Sequence, residues 1–147
     1  MDREIQKWFL ENHEGVEALS KRIFDHPEVS GEEEYACSQV ASYLREHEFE
    51  VETYPVAPSK VNNGLTAKWG DGYPVIAVLG EYDALPGLGQ EGTASRSPIE
   101  GPGHGCGHNL MGAGCAAGAI AAKQVMKEQK LSGTVKYYGC PAEEGLA

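Results

Sequence analysis

The chain has 147 residues, of which 41% are hydrophobic and 23% are charged, and its formal net charge is −10. This length and composition are typical of one soluble globular domain with its own core. The acidic balance argues against binding to nucleic acid or to an anionic membrane surface, because both partners require clusters of basic residues.

The first half of the sequence predicts two helices and two strands. Apolar residues from Ile5 to Ile23 recur at helical spacing, which predicts a helix over about residues 2–24 that ends before Pro27. Ser30 and Glu33 have the spacing of a capping box and predict the start of a second helix. Alternating segments at 49–56 and 65–69 then predict two strands, and we expect the second to pair with the strand that follows it.

The second half predicts a strand, a long loop, a helix and a last strand. Residues 74–80 are a continuous apolar run, which is typical of a strand buried on both faces of a helix-covered sheet. The loop at 86–107 has almost no periodicity, so it is expected to be functional or mobile. A helix over 110–129 begins with small residues, which indicate close packing against the sheet, and Asn109 is its expected N-cap.

A parallel arrangement of the strands at 74–80 and 134–140 would bring three segments together. Both strands would end at the same edge of the sheet, and the turn at 103–109 leads into the connecting helix from that side. Open α/β folds place their sites at this edge. The economical interpretation is therefore one α/β domain with a site at the carboxyl ends of these strands.

Two motifs at this edge carry metal-binding chemistry. The first is Gly-His-Gly-Cys-Gly-His-Asn, which contains Cys106 and His108, and the second is Pro-Ala-Glu-Glu-Gly, which contains Glu143 and Glu144. Thiolate, imidazole and carboxylate together suit a divalent metal such as zinc. Because adjacent acids are not easily buried without a cation, we expect one of them to bind a metal and the other to act as a general base.

Other polar positions are less strongly indicated. Asp83 follows a buried strand, where it could support a ligand or stabilise the turn. His104 could be a ligand, a support for a ligand or a surface histidine, with direct ligation disfavoured. Cys37 and Cys115 are expected to be buried thiols. The charged N-terminus does not resemble a signal peptide and no apolar run could span a bilayer, so we expect a cytoplasmic protein with reduced cysteines.

The motifs, taken in this order, resemble the M20 metallopeptidase clan. The matching segments are Asp-His-Pro-Glu-Val-Ser (25–30), Glu-Tyr-Asp-Ala-Leu-Pro (81–86), the segment at 103–109 and Cys-Pro-Ala-Glu-Glu-Gly (140–145). They are similar to the amidohydrolase branch of hippurate, auxin-conjugate and aminobenzoyl-glutamate hydrolases, and most of all to the B-type subunit of aminobenzoyl-glutamate utilisation. The resemblance implies an α/β fold, namely the N-terminal part of a zinc-aminopeptidase-like α/β/α catalytic domain with a mostly parallel central sheet.

The resemblance also implies roles for individual residues. Cys106, His108 and Glu144 match metal ligands, and Glu143 matches the general base. Asp83 lies in the segment where the family has two aspartates, and it joins Glu143 as a catalytic candidate.

At the first of the two aspartate positions this chain has Glu81, so the role of that residue is left open. Such enzymes carry two divalent metal ions, zinc or manganese, and use a metal-activated water to cleave the amide of N-acyl amino acids such as aminobenzoyl-glutamate.

The resemblance implies that residues 1–147 form an incomplete metallohydrolase catalytic domain. The lid or dimerisation domain and the C-terminal catalytic segment, with two further histidine ligands, are absent from it. We expect a homodimer for the complete protein, but weak or single-metal binding and little or no hydrolysis for this chain. Its last strand would lack outer neighbours and leave an exposed edge.

Three alternatives stay open. The chain could be a non-catalytic product of a truncated gene, or it could belong to a dipeptidase of the same clan. It could also hold a structural zinc site built from Cys106, His108, Cys140 and Glu144.

Overall fold

The computed structural model of the chain describes residues 2–145, with the backbone alone for Asp2. These residues form, in chain order, the elements α1 (Asp2–Asp25), α2 (Glu34–Glu46), β1 (Glu50–Tyr54), β2 (Gly64–Asp71), β3 (Val75–Glu81), α3 (His108–Gln129) and β4 (Gly133–Cys140). Every predicted helix and strand is therefore confirmed, with bounds that shift by a few residues. The strand order in the sheet is β1-β2-β4-β3.

The sheet is mixed. β1 pairs with β2, and β2 pairs with β4, in antiparallel directions, whereas β3 and β4 are parallel and are joined through α3. The predicted α/β class and the predicted crossover are confirmed, but this part of the sheet is not mostly parallel. The predicted pairing of β2 with β3 is wrong because β4 lies between them. The alternation of β2 marks a half-buried strand and does not specify which strand will be its neighbour.

The helices cover one face of the sheet. α2 and α3 pack on the strands, and α1 packs on α3 and α2. Alternate residues of the inner strands, among them Leu65, Ala67 and Tyr137, face the helices and are fully buried. Within residues 2–145 no helix covers the opposite face, so the third layer of the expected α/β/α arrangement does not occur in this part of the chain.

The strand β3 forms an exposed edge. Its side chains Val75, Ile76 and Leu79 are 44%, 59% and 58% exposed. The expectation that this strand is buried on both faces is therefore wrong for this chain. The edge was also expected at the last strand, but β4 is paired on both sides. A continuous apolar run indicates that a strand can be buried, and here its edge and most of its surface have no covering element among the described residues.

The start of α2 differs from the predicted capping box. The side chain of Glu33, at the N-cap position, makes no capping hydrogen bond. Instead, the carboxylate of Glu28 accepts hydrogen bonds from the backbone N–H groups of Tyr35 (2.9 Å) and Ala36 (2.8 Å). Glu28 thus satisfies two of the unpaired donors at the helix N-terminus, because Ser30 and Glu33 are engaged elsewhere.

The start of α3 also differs from the prediction. Gly107, in the left-handed conformation with φ 87°, is the residue before the helix, and Asn109 lies inside the first turn. The Asn109 side chain is buried and donates to the Ser20 hydroxyl at 3.0 Å. Asn109 therefore fastens α3 to α1 and is not the N-cap. None of the helices that the model describes has the length and apolar character needed to cross a membrane.

Candidate metal centre

Three segments meet at the carboxyl edge of the parallel pair β3–β4. They are the loop after β3, the turn that leads into α3 and the loop after β4, as the sequence predicted. His108 is the first residue of α3 and its side chain contacts residues of both loops. This histidine is 2% exposed, so its ring has a fixed and largely dry environment.

The two ring nitrogens of His108 have different partners. Nδ1 lies 2.8 Å from Oδ1 of Asp83 and 3.2 Å from the backbone oxygen of the same residue. The carboxylate and backbone oxygens of Asp83 are both acceptors, and so Nδ1 carries the hydrogen. In the neutral ring Nε2 then presents its lone pair, which is the arrangement that a metal-binding histidine requires.

Three carboxylates surround Nε2 of His108. The nearest oxygens of Glu81, Glu143 and Glu144 lie 3.3, 3.8 and 3.9 Å from it. The oxygen Oε1 of Glu144 is buried and has no hydrogen-bond partner among the described residues. Like charges crowded around a lone pair are unfavourable unless a cation lies between them. The donors of this site therefore fit a divalent metal ion.

Two sets of potential metal ligands share His108. One set is Cys106, His108 and Glu144, and the other is Glu81, His108 and Glu143. In each set the donor atoms lie within 4.8 Å of one another. The structure thus brings together the three metal candidates of the sequence and adds Glu81, whose role the sequence left open.

Cys106 is one of two exposed members of this cluster, the other being Glu143. The pKa of its thiol is raised, first by its contact with the Glu144 carboxylate, then by partial desolvation and by the charges of Glu144, Glu143 and Glu81. A divalent cation reverses this effect, because it stabilises the thiolate.

Asp83 connects the cluster to the rest of the fold. Besides His108, its carboxylate accepts hydrogen bonds from the Ser30 hydroxyl (2.8 Å) and from the backbone N–H of Glu144 (2.9 Å). The side chain is fully buried. Sequence reasoning missed Ser30 here because the residue fits a local capping pattern, and its only other signal was its place in the segment at 25–30.

His104 and Cys140 belong to neither ligand set in the described part of the chain. Nε2 of His104 lies 3.2 Å from the backbone oxygen of Ile23, and burial lowers the pKa of the ring. The thiol of Cys140 donates to the backbone oxygen of Tyr138 at 3.7 Å. The four residues of the alternative structural zinc site are therefore not gathered around one point.

Comparisons with known proteins show which family the chain is similar to. Residues 77–147 match the peptidase family M20/M25/M40. The chain is 44% identical over 130 residues to the B subunit of p-aminobenzoyl-glutamate hydrolase from Escherichia coli, covering 86% of this chain and 26% of that protein. It is 30% identical over 128 residues to N-acetylcysteine deacetylase of Bacillus subtilis, covering 86% of this chain and 32% of that protein.

The fold is also shared with a solved structure. The Bacillus subtilis YXEP protein, described as a dinuclear metal-binding peptidase of the M20 family, superposes with a TM-score of 0.68 at 27% identity. The match covers 90% of this chain and 36% of that one. The chain thus spans about a quarter to a third of the length of the curated relatives named above. Together, the family match, the shared sequence and the shared fold show that this chain belongs to the M20 peptidase family.

Proposed function

We propose that residues 1–147 form an incomplete catalytic domain of a metal-dependent amide hydrolase and carry part of its metal centre. The observation that supports this most strongly is the environment of His108. Nδ1 of this buried ring is held by Asp83, while Nε2 faces the carboxylates of Glu81, Glu143 and Glu144. A purely structural role for His108 gives no reason for three acids at its free nitrogen.

In this proposal Cys106, His108 and Glu144 hold a metal ion, and Glu81 contributes to a second position next to it. When bound, two divalent ions would polarise the amide carbonyl and make water a better nucleophile near neutral pH. A thiolate among the donors favours zinc over manganese, because manganese prefers oxygen ligands.

Glu143 is suited to proton transfer. Its side chain is 52% exposed, while its nearest carboxylate oxygen stays 3.8 Å from Nε2 of His108. A carboxylate in this position can accept a proton from the attacking water and deliver it to the leaving amine. Asp83 supports the reaction indirectly, because it fixes the ring and the proton position of His108.

The proposed substrates are N-acyl amino acids such as aminobenzoyl-glutamate. The names of the two curated relatives support this class, since one is a hydrolase of p-aminobenzoyl-glutamate and the other a deacetylase of N-acetylcysteine. We further propose a homodimer for the complete protein. Because the Escherichia coli relative is named as one subunit of its hydrolase, a mixed assembly is the competing arrangement, and native mass measurement separates the two. A cytoplasmic location is supported by the four free cysteines.

The test begins with the intact mass and the activity of the product of the native gene. We expect a product heavier than 15.8 kDa that hydrolyses p-aminobenzoyl-glutamate with added zinc or manganese. Glu143→Gln should lower kcat by about 10²–10⁴-fold, the usual contribution of a general base. Glu100→Gln, at an exposed position outside both ligand sets, is the matched control and should leave kcat unchanged. Turnover that Glu143→Gln does not affect would contradict the proposal.

A further inference from the structure

The loop that carries Glu143 and Glu144 is held on both sides of Glu143. The backbone N–H of Ala142 donates to Oε1 of Glu33 at 2.6 Å, and the N–H of Glu144 donates to Oδ2 of Asp83 at 2.9 Å. Both acceptors are buried carboxylates, with Glu33 0% and Asp83 1% exposed. The backbone is therefore fixed before and after Glu143, while the Glu143 side chain itself stays half exposed.

Ala142, which donates the hydrogen bond to Glu33, has an unusual backbone conformation. Ala142 has φ 60°, in the left-handed region that favours glycine. Such a conformation persists in a non-glycine residue only when the surroundings impose it. A charge-assisted hydrogen bond from the N–H of this same residue is a strong constraint of that kind.

Glu33 is itself held in one orientation. Its Oε2 accepts a hydrogen bond from Nδ2 of Asn63 at 3.0 Å. The amide of Asn63 cannot be turned over, because its Oδ1 accepts from the backbone N–H of Val56 at 2.9 Å. Each oxygen of the Glu33 carboxylate thus has a donor whose position the fold determines.

The local role of Glu33 does not explain its buried charge. A carboxylate without solvent is costly, and no ion pair involving Glu33 is formed within residues 2–145. Capping of α2 is performed by Glu28, as described above. What the Glu33 carboxylate does in the structure is accept two hydrogen bonds. One fixes Ala142, and the other, from Asn63, fixes the turn that precedes β2.

We propose that Glu33 is a positioning residue of the metal centre: its carboxylate sets the conformation of the loop so that Glu143 and Glu144 face His108. This inference rests on the proposed function and adds to it a residue that touches neither metal nor substrate. The two partners also make Glu33 sensitive to a conservative change. In Glu33→Gln one of the two donors would meet the amide NH₂ group, so one of the two hydrogen bonds is lost at nearly constant volume.

The first test is a titration of the 147-residue chain with Co²⁺, followed through the thiolate-to-cobalt absorption. Glu33→Gln should weaken Co²⁺ binding by about 10-fold or more, in the range found for indirect supports of metal ligands. The absorption from Cys106 should be retained at saturation. Glu32→Gln, at the exposed neighbouring position, is the matched control and should bind Co²⁺ like the unchanged protein.

A double-mutant cycle separates positioning from a general structural role. If Glu33 acts through Glu144, the variant Glu33→Gln/Glu144→Gln should bind Co²⁺ no more weakly than Glu144→Gln alone. Additive losses, or a lower melting temperature with an unchanged dissociation constant in Glu33→Gln, would overturn the inference. Should Glu33→Gln fail to fold, Glu33→Asp keeps the charge but shortens the reach, and the same loss is expected.

A second readout needs no metal. In the metal-free chain, the amide of Ala142 should exchange with solvent at least 10-fold faster in Glu33→Gln than in Glu32→Gln. An unchanged exchange rate would show that Glu33 does not hold the loop and would overturn the inference. Failure of the unchanged chain to bind Co²⁺ would count against the proposed function alone, and the exchange of Ala142 would still decide the role of Glu33.

Discussion

Replacing Asp83 with asparagine tests how the fold prepares His108 for a metal. The change preserves size and leaves an oxygen that can still accept from Ser30 and from the N–H of Glu144. In the unchanged protein Nδ1 of His108 lies 2.8 Å from a carboxylate oxygen of Asp83. The substitution places an NH₂ group opposite Nδ1 instead. The ring must then move its hydrogen to Nε2, where the metal would bind.

The magnitude follows from the bonds that are lost. A hydrogen bond to a charged group contributes about 1.5–3 kcal/mol, and Asp83→Asn removes one of the three that the Asp83 side chain accepts. The free energy of unfolding without metal should therefore fall by at most about 3 kcal/mol. The wrong ring tautomer should weaken metal binding by about 10–100-fold, which equals about 1.4–2.8 kcal/mol.

The assay is calorimetric titration of zinc into Asp83→Asn, together with urea unfolding of the metal-free protein. Ser30→Ala is the matched control, because it removes a different hydrogen bond of the same carboxylate and leaves His108 its partner. We expect Ser30→Ala to cost about 1.5–3 kcal/mol of stability and to change zinc affinity by less than about 3-fold. Unchanged zinc affinity in Asp83→Asn would refute the argument that Asp83 fixes the tautomer of His108.

Three further predictions concern the fold. Two lysines of α3, Lys123 first and then Lys127, lower the pKa of Glu48 from 4.5 to about 2. The ionised carboxylate therefore stabilises the folded state above pH 4.5, and this stabilisation is lost as the pH falls toward 2. Glu48→Gln should therefore flatten the decrease in melting temperature across this range, and an equally steep decrease would contradict the assignment. The exposed apolar edge strand β3 should make the chain associate as its concentration rises. Ile76→Lys should reduce that association, measured by sedimentation velocity. In α3, a Cβ at Gly112 would lie 2.8 Å from a backbone oxygen of β3, whereas one at Gly114 meets nothing within 4 Å. Denaturant unfolding should show a loss of about 1–3 kcal/mol for Gly112→Ala and a gain of up to about 1 kcal/mol for Gly114→Ala.

The secondary structure could be predicted from the sequence because its signals are local. Helical spacing from Ile5 to Ile23 and the apolar run at 74–80 each depend on residues within one element. Strand order is different, since it is decided by contacts between distant segments. β4 lies between β2 and β3, and neither the alternation of β2 nor the apolar run of β3 distinguishes that order from a hairpin. The exposure of β3 was missed for a related reason, because hydrophobicity indicates a capacity for burial and not the presence of a partner.

The candidate site was predictable where chemistry and topology agree. Cys106 lies just before α3 and His108 is the first residue of that helix, while Glu143 and Glu144 follow β4. The parallel crossover brings the start of α3 and the end of β4 to one edge of the sheet. Their meeting point could therefore be deduced without knowing any distance. Their roles as ligands and general base stay predictions, to be tested by the metal and activity measurements above.

The residues that support the site were not predictable, and Ser30 and Glu33 show why. Their spacing satisfies a helix-capping pattern, so a sufficient local explanation hides their actual partners. In the structure Ser30 binds Asp83, 53 positions away, and Glu33 binds the N–H of Ala142, 109 positions away. A pattern of four residues cannot encode such distances. The segment before α2 thus supports the candidate metal site through Glu33, and Glu33→Gln should weaken metal binding even though the segment contributes no ligand.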